Sequence, residues 1–242
     1  MIGRPLVDPR TGRPGRGVAS ARRMSTSLGR QPWRYGRTVG DTESTRIAYA
    51  HWAGEYIHRF GSIAATHPLD RELVRLWASS TSGRVLDLGC GPGQWTGFLH
   101  ECGCDVSGVD PVAEFVEHAR AHHPHLDVAQ GDLESLQLPA ASIGAVFAWY
   151  SLIHLDPAAV RRTLSELARV IAPGGVLLIG HFAADAAVES FAHTVITAYR
   201  WPVSWLADLL GEAGFDVTET HVREAAGQRP HGAVTARRRD IG

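Results

Sequence analysis

The chain has 242 residues, 44% of them hydrophobic, which suits one globular domain of ordinary composition. Its formal net charge of -1 hides an asymmetry: all 24 basic residues are arginine, and nine of them precede position 38, where Asp8 is the only acid. No stretch approaches the roughly 18 apolar residues of a membrane span, and Arg22-Arg23 is not followed by the apolar run of a secretory leader, so the chain reads as cytoplasmic and away from membranes.

Residues 1–37 carry six glycines and four prolines without an apolar period, a composition that predicts a disordered tail. Met24 offers an alternative start, and the arginines make an RNA-binding arm the minor reading of this stretch. Residues 38–242 read as one domain: lead-in helices over 41–80, a core over 83–182, a cover segment over 183–202, and a closing helix and hairpin over 202–240.

From Asp41, an N-cap residue type, Tyr49, Trp52, Ala53, Tyr56, Ile57 and Phe60 recur at the spacing of one helix face. A second helix is predicted over 68–79. Short apolar runs then alternate with helices: Val85 to Leu88, a helix from Gly93 to Cys102, Asp105 to Val109, a helix from Pro111 to His122, Leu126 to Ala129, and Ile143 to Tyr150. Asp156-Pro157 opens a helix that Pro173-Gly174-Gly175 should stop before a fifth strand, "VLLIGHF". Runs apolar on both faces and separated by helices imply a parallel sheet covered on both sides. Residues 184–199 read as helical and 202–213 as an amphipathic helix, and the last two alternating stretches read as an antiparallel hairpin.

Cys90, Cys102 and Cys104 are odd in number and lack paired spacing, which argues against a disulfide framework and against a four-ligand metal knuckle. His122, His123 and His125 flank Pro124 and read as a solvated turn, so no metal is expected.

The stretch "VLDLGCGPG", residues 85–93, is a buried strand followed by a loop nearly free of side chains. A strand turning sharply into a helix leaves backbone N–H groups and the positive end of the helix dipole at the carboxyl edge of the sheet, and glycine lets a ligand approach them. Asp110, at the end of the second strand, is placed to accept hydrogen bonds from a ribose diol. A dinucleotide and an adenosyl ligand both fit so far. Gln94 stands where a G-x-G-x-x-G loop needs glycine. Asp87 puts negative charge where a pyrophosphate would sit, whereas an ammonium or sulfonium group is favoured there.

"VLDLGCGPG" resembles motif I of the class I S-adenosylmethionine-dependent methyltransferases, in their small-molecule branch. "GVDP", "QGDLESLQLP", "AVFAWYSLIHL", "ELARVIAPGGVLLIG" and "LLGEAGFDV" resemble that family's later motifs in order, so the likeness covers about residues 42–240. It implies a Rossmann-like α/β fold with a seven-stranded, mostly parallel sheet, a C-terminal antiparallel hairpin and helices on both faces. It also implies S-adenosyl-L-methionine as cofactor, S-adenosyl-L-homocysteine as product, and no metal. Asp87, Gly89, Cys90, Gly91 and Gly93 would hold the cofactor, Asp110 and Pro111 the ribose, and Asp132 and Leu133 the adenine. In "TRIAYAHWAGEY" the resemblance implies that Tyr49 reaches the methionine carboxylate, with Arg59 beside it.

Methyl transfer is an in-line displacement, so orientation alone supplies on the order of 7–11 kcal/mol, and an aromatic wall suffices around a sulfonium. Trp95, Trp149 and Tyr150 are candidates for that wall, and core packing is the plainer reading of the two tryptophans. A hydroxyl or N–H acceptor would need a base, for which His154 and His181, after strands four and five, are the candidates. The chain lacks the Asp-Pro-Pro-aromatic signature of base methylation after strand four, having Ala148-Trp149-Tyr150-Ser151. It also lacks a basic stripe outside the tail. A small-molecule acceptor is therefore favoured over RNA. A protein that only binds the cofactor, and a nucleotide-dependent oxidoreductase, are the alternatives, and the oligomeric state, monomer or homodimer, is left open.

Overall fold

The computed structural model describes residues 41–240; the arginine-rich stretch and Met24 lie outside the described residues. In chain order the elements are α1 (Asp41–Phe60), a 3-10 turn (Ile63–Ala65), α2 (Pro68–Ser79), β1 (Arg84–Leu88), α3 (Gln94–Glu101), β2 (Asp105–Asp110), α4 (Ala113–His122) and β3 (Asp127–Gln130). They continue as β4 (Ile143–Trp149), α5 (Pro157–Val170), β5 (Ile171–Ala183), β6 (Glu189–Phe191), β7 (Ala198–Trp201), α6 (Val203–Glu212), β8 (Phe215–Arg223) and β9 (His231–Arg238). No helix of the described residues is long and apolar enough to cross a membrane.

Five strands run parallel in the order β3-β2-β1-β4-β5, and β9 then lies antiparallel on β5 with β8 antiparallel on β9. These are the expected seven strands. The chain winds outward from β1 to β3 and then crosses back to β4, so the carboxyl ends of β1 and β4 part at the switch point where ligands of open parallel sheets bind.

Strand alternation divides the core. Leu86, Val146, Leu177 and Ile179 face α5 and α6, whereas Val85, Phe147, Val176 and Leu178 face α2, α3 and α4. Burial on both faces is what the continuous apolar runs demand. Asp156 caps α5 by accepting from Ala158 N and Ala159 N, both at 2.8 Å.

Two expectations are corrected. Residues 184–199 are not helical: they carry β6 and start β7, an antiparallel ribbon whose second strand runs parallel to β5 through Phe182 and Ala183. Because β9 already holds the other edge of β5 at Phe182, the ribbon takes the edge that β4 vacates after Trp149. Unpaired β5 backbone there needs a partner, and the β-branched run Thr194-Val195-Ile196-Thr197, in the bend between the two strands, disfavours helix. Pro173-Gly174-Gly175 does not stop α5, which ends at Val170; the three residues lie within the start of β5.

Candidate active site

The glycine loop joins β1 to α3. Gly89, Gly91 and Gly93 have φ of 70°, 54° and 90°, in the left-handed region that side chains other than glycine occupy at a cost. Gly89 N and Cys90 N both donate to Val109 O, at 2.8 and 3.0 Å, which fastens the loop to the end of β2. Asp110 completes the junction: its Oδ2 accepts from Gly91 N at 2.8 Å and its Oδ1 from Val112 N at 2.9 Å.

Asp87 lies inside β1, where its Oδ2 accepts a hydrogen bond from Thr96 Oγ1 at 2.6 Å. Burial pushes its carboxyl up to about 7, and the nearby Asp110 adds to the shift. Burial likewise pushes Asp110 up to about 6. Neither acid has an ion-pair partner among the described residues. Two further polar atoms beside the loop, Gln94 Oε1 and Ser151 Oγ, are buried without a hydrogen-bond partner.

A cavity of about 400 Å3 opens above this junction. Asp87, Gly89, Cys90, Gly91, Asp110, Pro111 and Leu133 line it on the β2 side, and Trp149, Tyr150, Phe182, His193 and His231 on the β5 side. Helix α1 supplies Tyr49, Trp52, Tyr56, Arg59 and Phe60 to its wall, the same face that the helical spacing picks out. Tyr49 and Tyr56 pack edge-on or tilted against Phe115 of α4, at 5.9 and 5.1 Å between ring centroids.

His154 Nδ1 lies 2.9 Å from Thr197 O, a group that only accepts, so Nδ1 carries the proton. Nε2 of the neutral ring is then an acceptor, and Tyr49 OH, 2.9 Å away, donates to it. Burial holds His154 below its ordinary pKa and Tyr49 well above its own, so the pair rests as imidazole and phenol. On the opposite wall Tyr150 OH is hydrogen-bonded to His231 Nδ1. Tyr150 has a φ of 59°, a left-handed conformation rare for an aromatic residue, which turns its ring across the end of β4. Burial depresses His193, with His154 and the Arg229 guanidinium adding to the effect, to about 4.

Three of the sequence-predicted site residues do not line the cavity. His181 is fully buried on the far side of β5, stacked on Trp201, with Nδ1 bonded to Phe182 O at 3.0 Å. The two-residue period of a strand gives the reason: His181 shares the α5 and α6 face with Leu177 and Ile179, and the next residue, Phe182, faces the cavity. Burial drives the His181 ring down to about 4. Asp132 turns back on its own loop, accepting from Glu134 N at 2.8 Å, and Leu133 and Glu134 line the wall instead. Gly93 faces α4, where a Cβ would stand 2.8 Å from Ala119 Cβ, so its bareness serves helix packing. Trp95 and Trp149 meet both readings: they line the cavity and also pack on Phe147.

Phe182 and His231 are among the cavity residues that sequence reasoning missed. Phe182 was legible from the alternation of "GHF". His231 enters through the register of β9, where it pairs with Phe182 across an antiparallel ladder that no local pattern specifies.

The family model described as "Methyltransferase domain" matches residues 85–175. A relative named a probable S-adenosylmethionine-dependent methyltransferase, from Mycolicibacterium smegmatis, is 32% identical over 151 residues, 59% of this chain and 56% of that protein. A malonyl-[acyl-carrier protein] O-methyltransferase of Enterobacter lignolyticus is 30% identical over 138 residues, 54% of each chain. The chain thus spans about half the length of these curated relatives. Among solved structures, the Burkholderia thailandensis 1,6-didemethyltoxoflavin-N1-methyltransferase, with that compound and S-adenosylhomocysteine bound, aligns over 85% of this chain and 93% of its own with a TM-score of 0.67 at 18% identity. Sheet order, glycine loop, the acid at the end of β2 and these matches agree: residues 85–175 match the methyltransferase domain family, on a fold shared with S-adenosylmethionine-dependent methyltransferases.

Proposed function

We propose that the chain binds S-adenosylmethionine on the β2 side of the cavity and transfers its methyl group to an O or N nucleophile of a small molecule held on the β5 side. The observation that carries this reading is the pair of buried acids without counter-ions, Asp87 and Asp110, in one cavity with the glycine loop. A cationic, hydroxyl-rich ligand supplies what they lack: positive charge for Asp87 and donors for the remaining lone pairs of Asp110. The orphaned Gln94 Oε1 and Ser151 Oγ add acceptor and donor capacity to the same wall. Asp132 stands outside this contact set, so the adenine edge is assigned to Leu133 and Glu134.

When bound, S-adenosylmethionine supplies an electrophilic methyl. The rest is positioning and proton handling by the chain. Trp149, Tyr150 and Phe182 offer ring faces that orient a flat acceptor and exclude water. His154 acts as base through Tyr49: an acceptor proton passes to Tyr49 O as the phenol proton passes to His154 Nε2, and Thr197 O steadies the imidazolium through Nδ1. Because Tyr49 gives its only proton to His154, this reading assigns it to the acceptor rather than to the methionine carboxylate.

The malonyl-[acyl-carrier protein] and didemethyltoxoflavin enzymes take chemically different acceptors by name, so the acceptor is argued from the wall and not from kinship. Calorimetric titration with S-adenosylhomocysteine and with NADH tests the cofactor, and transfer of labelled methyl from S-adenosylmethionine into a metabolite extract tests the reaction. Binding of NADH with no response to S-adenosylhomocysteine overturns the proposal. Binding of S-adenosylhomocysteine without transfer to any extract favours the cofactor-binding, non-catalytic alternative.

A further inference from the structure

The arginines around the cavity are mostly committed. Arg46 holds Glu43 at 2.5 Å, Arg59 holds Glu55 at 2.5 Å, and Arg223 grips both oxygens of Asp70 at 3.0 and 2.9 Å. Arg200 is tied to Glu189 through two nitrogens. Arg229 differs. It has no carboxylate partner among the described residues, and its guanidinium carbon lies 4.5 Å above the ring centroid of Phe191.

Phe191 in turn packs edge-on against Phe182, 5.4 Å away, and against His193, 6.1 Å away, and both of these line the main cavity. The stacked ring fixes the guanidinium plane at the edge of the acceptor end while leaving its N–H fork open. A shallow cleft lined by Arg200, Gly227, Gln228, Arg229 and Pro230 adjoins the cavity there and shares Phe182 and His231 with it. On the cavity side of this boundary the imidazoles of His193 and His231 are held below their ordinary pKa by burial, so they are neutral at pH 7 and the positive charge is concentrated at Arg229.

We propose that the acceptor is a flat aromatic molecule bearing an anionic oxygen group, with its ring among Tyr150, Phe182, His193 and His231 and its anion on the guanidinium of Arg229. The inference deepens the acceptor side of the proposed methyl transfer and rests on that reading. A carboxylate and a phosphate monoester share the recognising chemistry, since each presents two oxygens to the fork.

The test is a fluorescence and calorimetric titration of the full chain, saturated with S-adenosylhomocysteine, using matched probes: 3-hydroxy-2-naphthoate against 3-hydroxy-2-naphthamide, and 1-naphthyl phosphate against 1-naphthol. At low ionic strength the anionic member of at least one pair should bind about tenfold more tightly than its neutral mate. The pair that shows the preference identifies carboxylate or phosphate. Arg229→Gln should abolish the preference, whereas Arg200→Gln, in the same cleft, should keep it. Equal binding within both pairs, no binding of any probe, or a preference that survives in Arg229→Gln overturns the proposal. Failure of S-adenosylhomocysteine to bind in the same titrations is read separately, as failure of the cofactor assignment.

Discussion

Asp87 shows how a side chain can destabilise a fold and serve a ligand. Its folded pKa, about 7, is raised above the ordinary carboxylate value, so the protonated form is favoured in the native state. The stability it contributes is fully present below the unfolded value of about 4 and is lost as pH rises through about 7. In the ligand-free chain, Asp87→Asn should therefore raise Tm at pH 8 by a few degrees, with little change at pH 4.5, and should weaken S-adenosylhomocysteine binding; a pH series of melting curves checks both. Tyr49 and His154 form a second such case, since each is the only side-chain partner of the other in the relay. With an acceptor in hand, Tyr49→Phe and His154→Ala should each lower kcat by about 100-fold and the double variant by little more, with S-adenosylhomocysteine affinity nearly unchanged. Depression of the His154 pKa means that its base form persists down to below about pH 6.5, so this group imposes no loss of rate above that pH.

At the scale of elements, the glycine loop separates two demands that its sequence merges. Gly91 has open space where a Cβ would go, whereas a Cβ on Gly89 would overlap Ser151. Gly91→Ala should cost about 1–2 kcal/mol from its left-handed backbone alone. Gly89→Ala should add about 1–3 kcal/mol of overpacking and push Ser151 into the cavity. Denaturant unfolding measures the difference. The loop, the parallel strands and the helices between them were legible because each has a local signature: glycine at positive φ, apolar runs, and an Asp-Pro cap. The ribbon of β6 and β7 was not, because its strands are fixed by an open edge of β5 far away in sequence, which overrides the alanine-rich look of residues 184–187. His181 was misplaced for a related reason. Its strand was correctly read, but the face assignment depends on which side of β5 the cavity lies.

For the whole molecule, the cavity is closed from three separate parts of the chain: α1, the segment after β4, and the ribbon. Helix α1 reaches the rest chiefly through Tyr49, Ala53 and Tyr56 on Val112 and Phe115, and Trp52 and Phe60 on its cavity face are 39% and 49% exposed. Its backbone should exchange hydrogen faster than that of α5, whose apolar face is buried in the core. Saturation with S-adenosylhomocysteine should slow exchange in α1 and leave α5 unchanged, as mass spectrometry of exchanged peptides would report. The hydrogen-bond chain from Tyr49 through His154 to Thr197 has a kinetic consequence at this scale. It yokes a helix at one end of the sequence to a ribbon 148 positions further on, so the two covers cannot swing away independently. Departure of a trapped molecule then waits on the joint opening of both, and residence time becomes a property of one imidazole. His154→Ala should shorten that residence time in stopped-flow displacement of bound S-adenosylhomocysteine and speed its association in proportion, so that affinity holds, because each cover is then released to move alone.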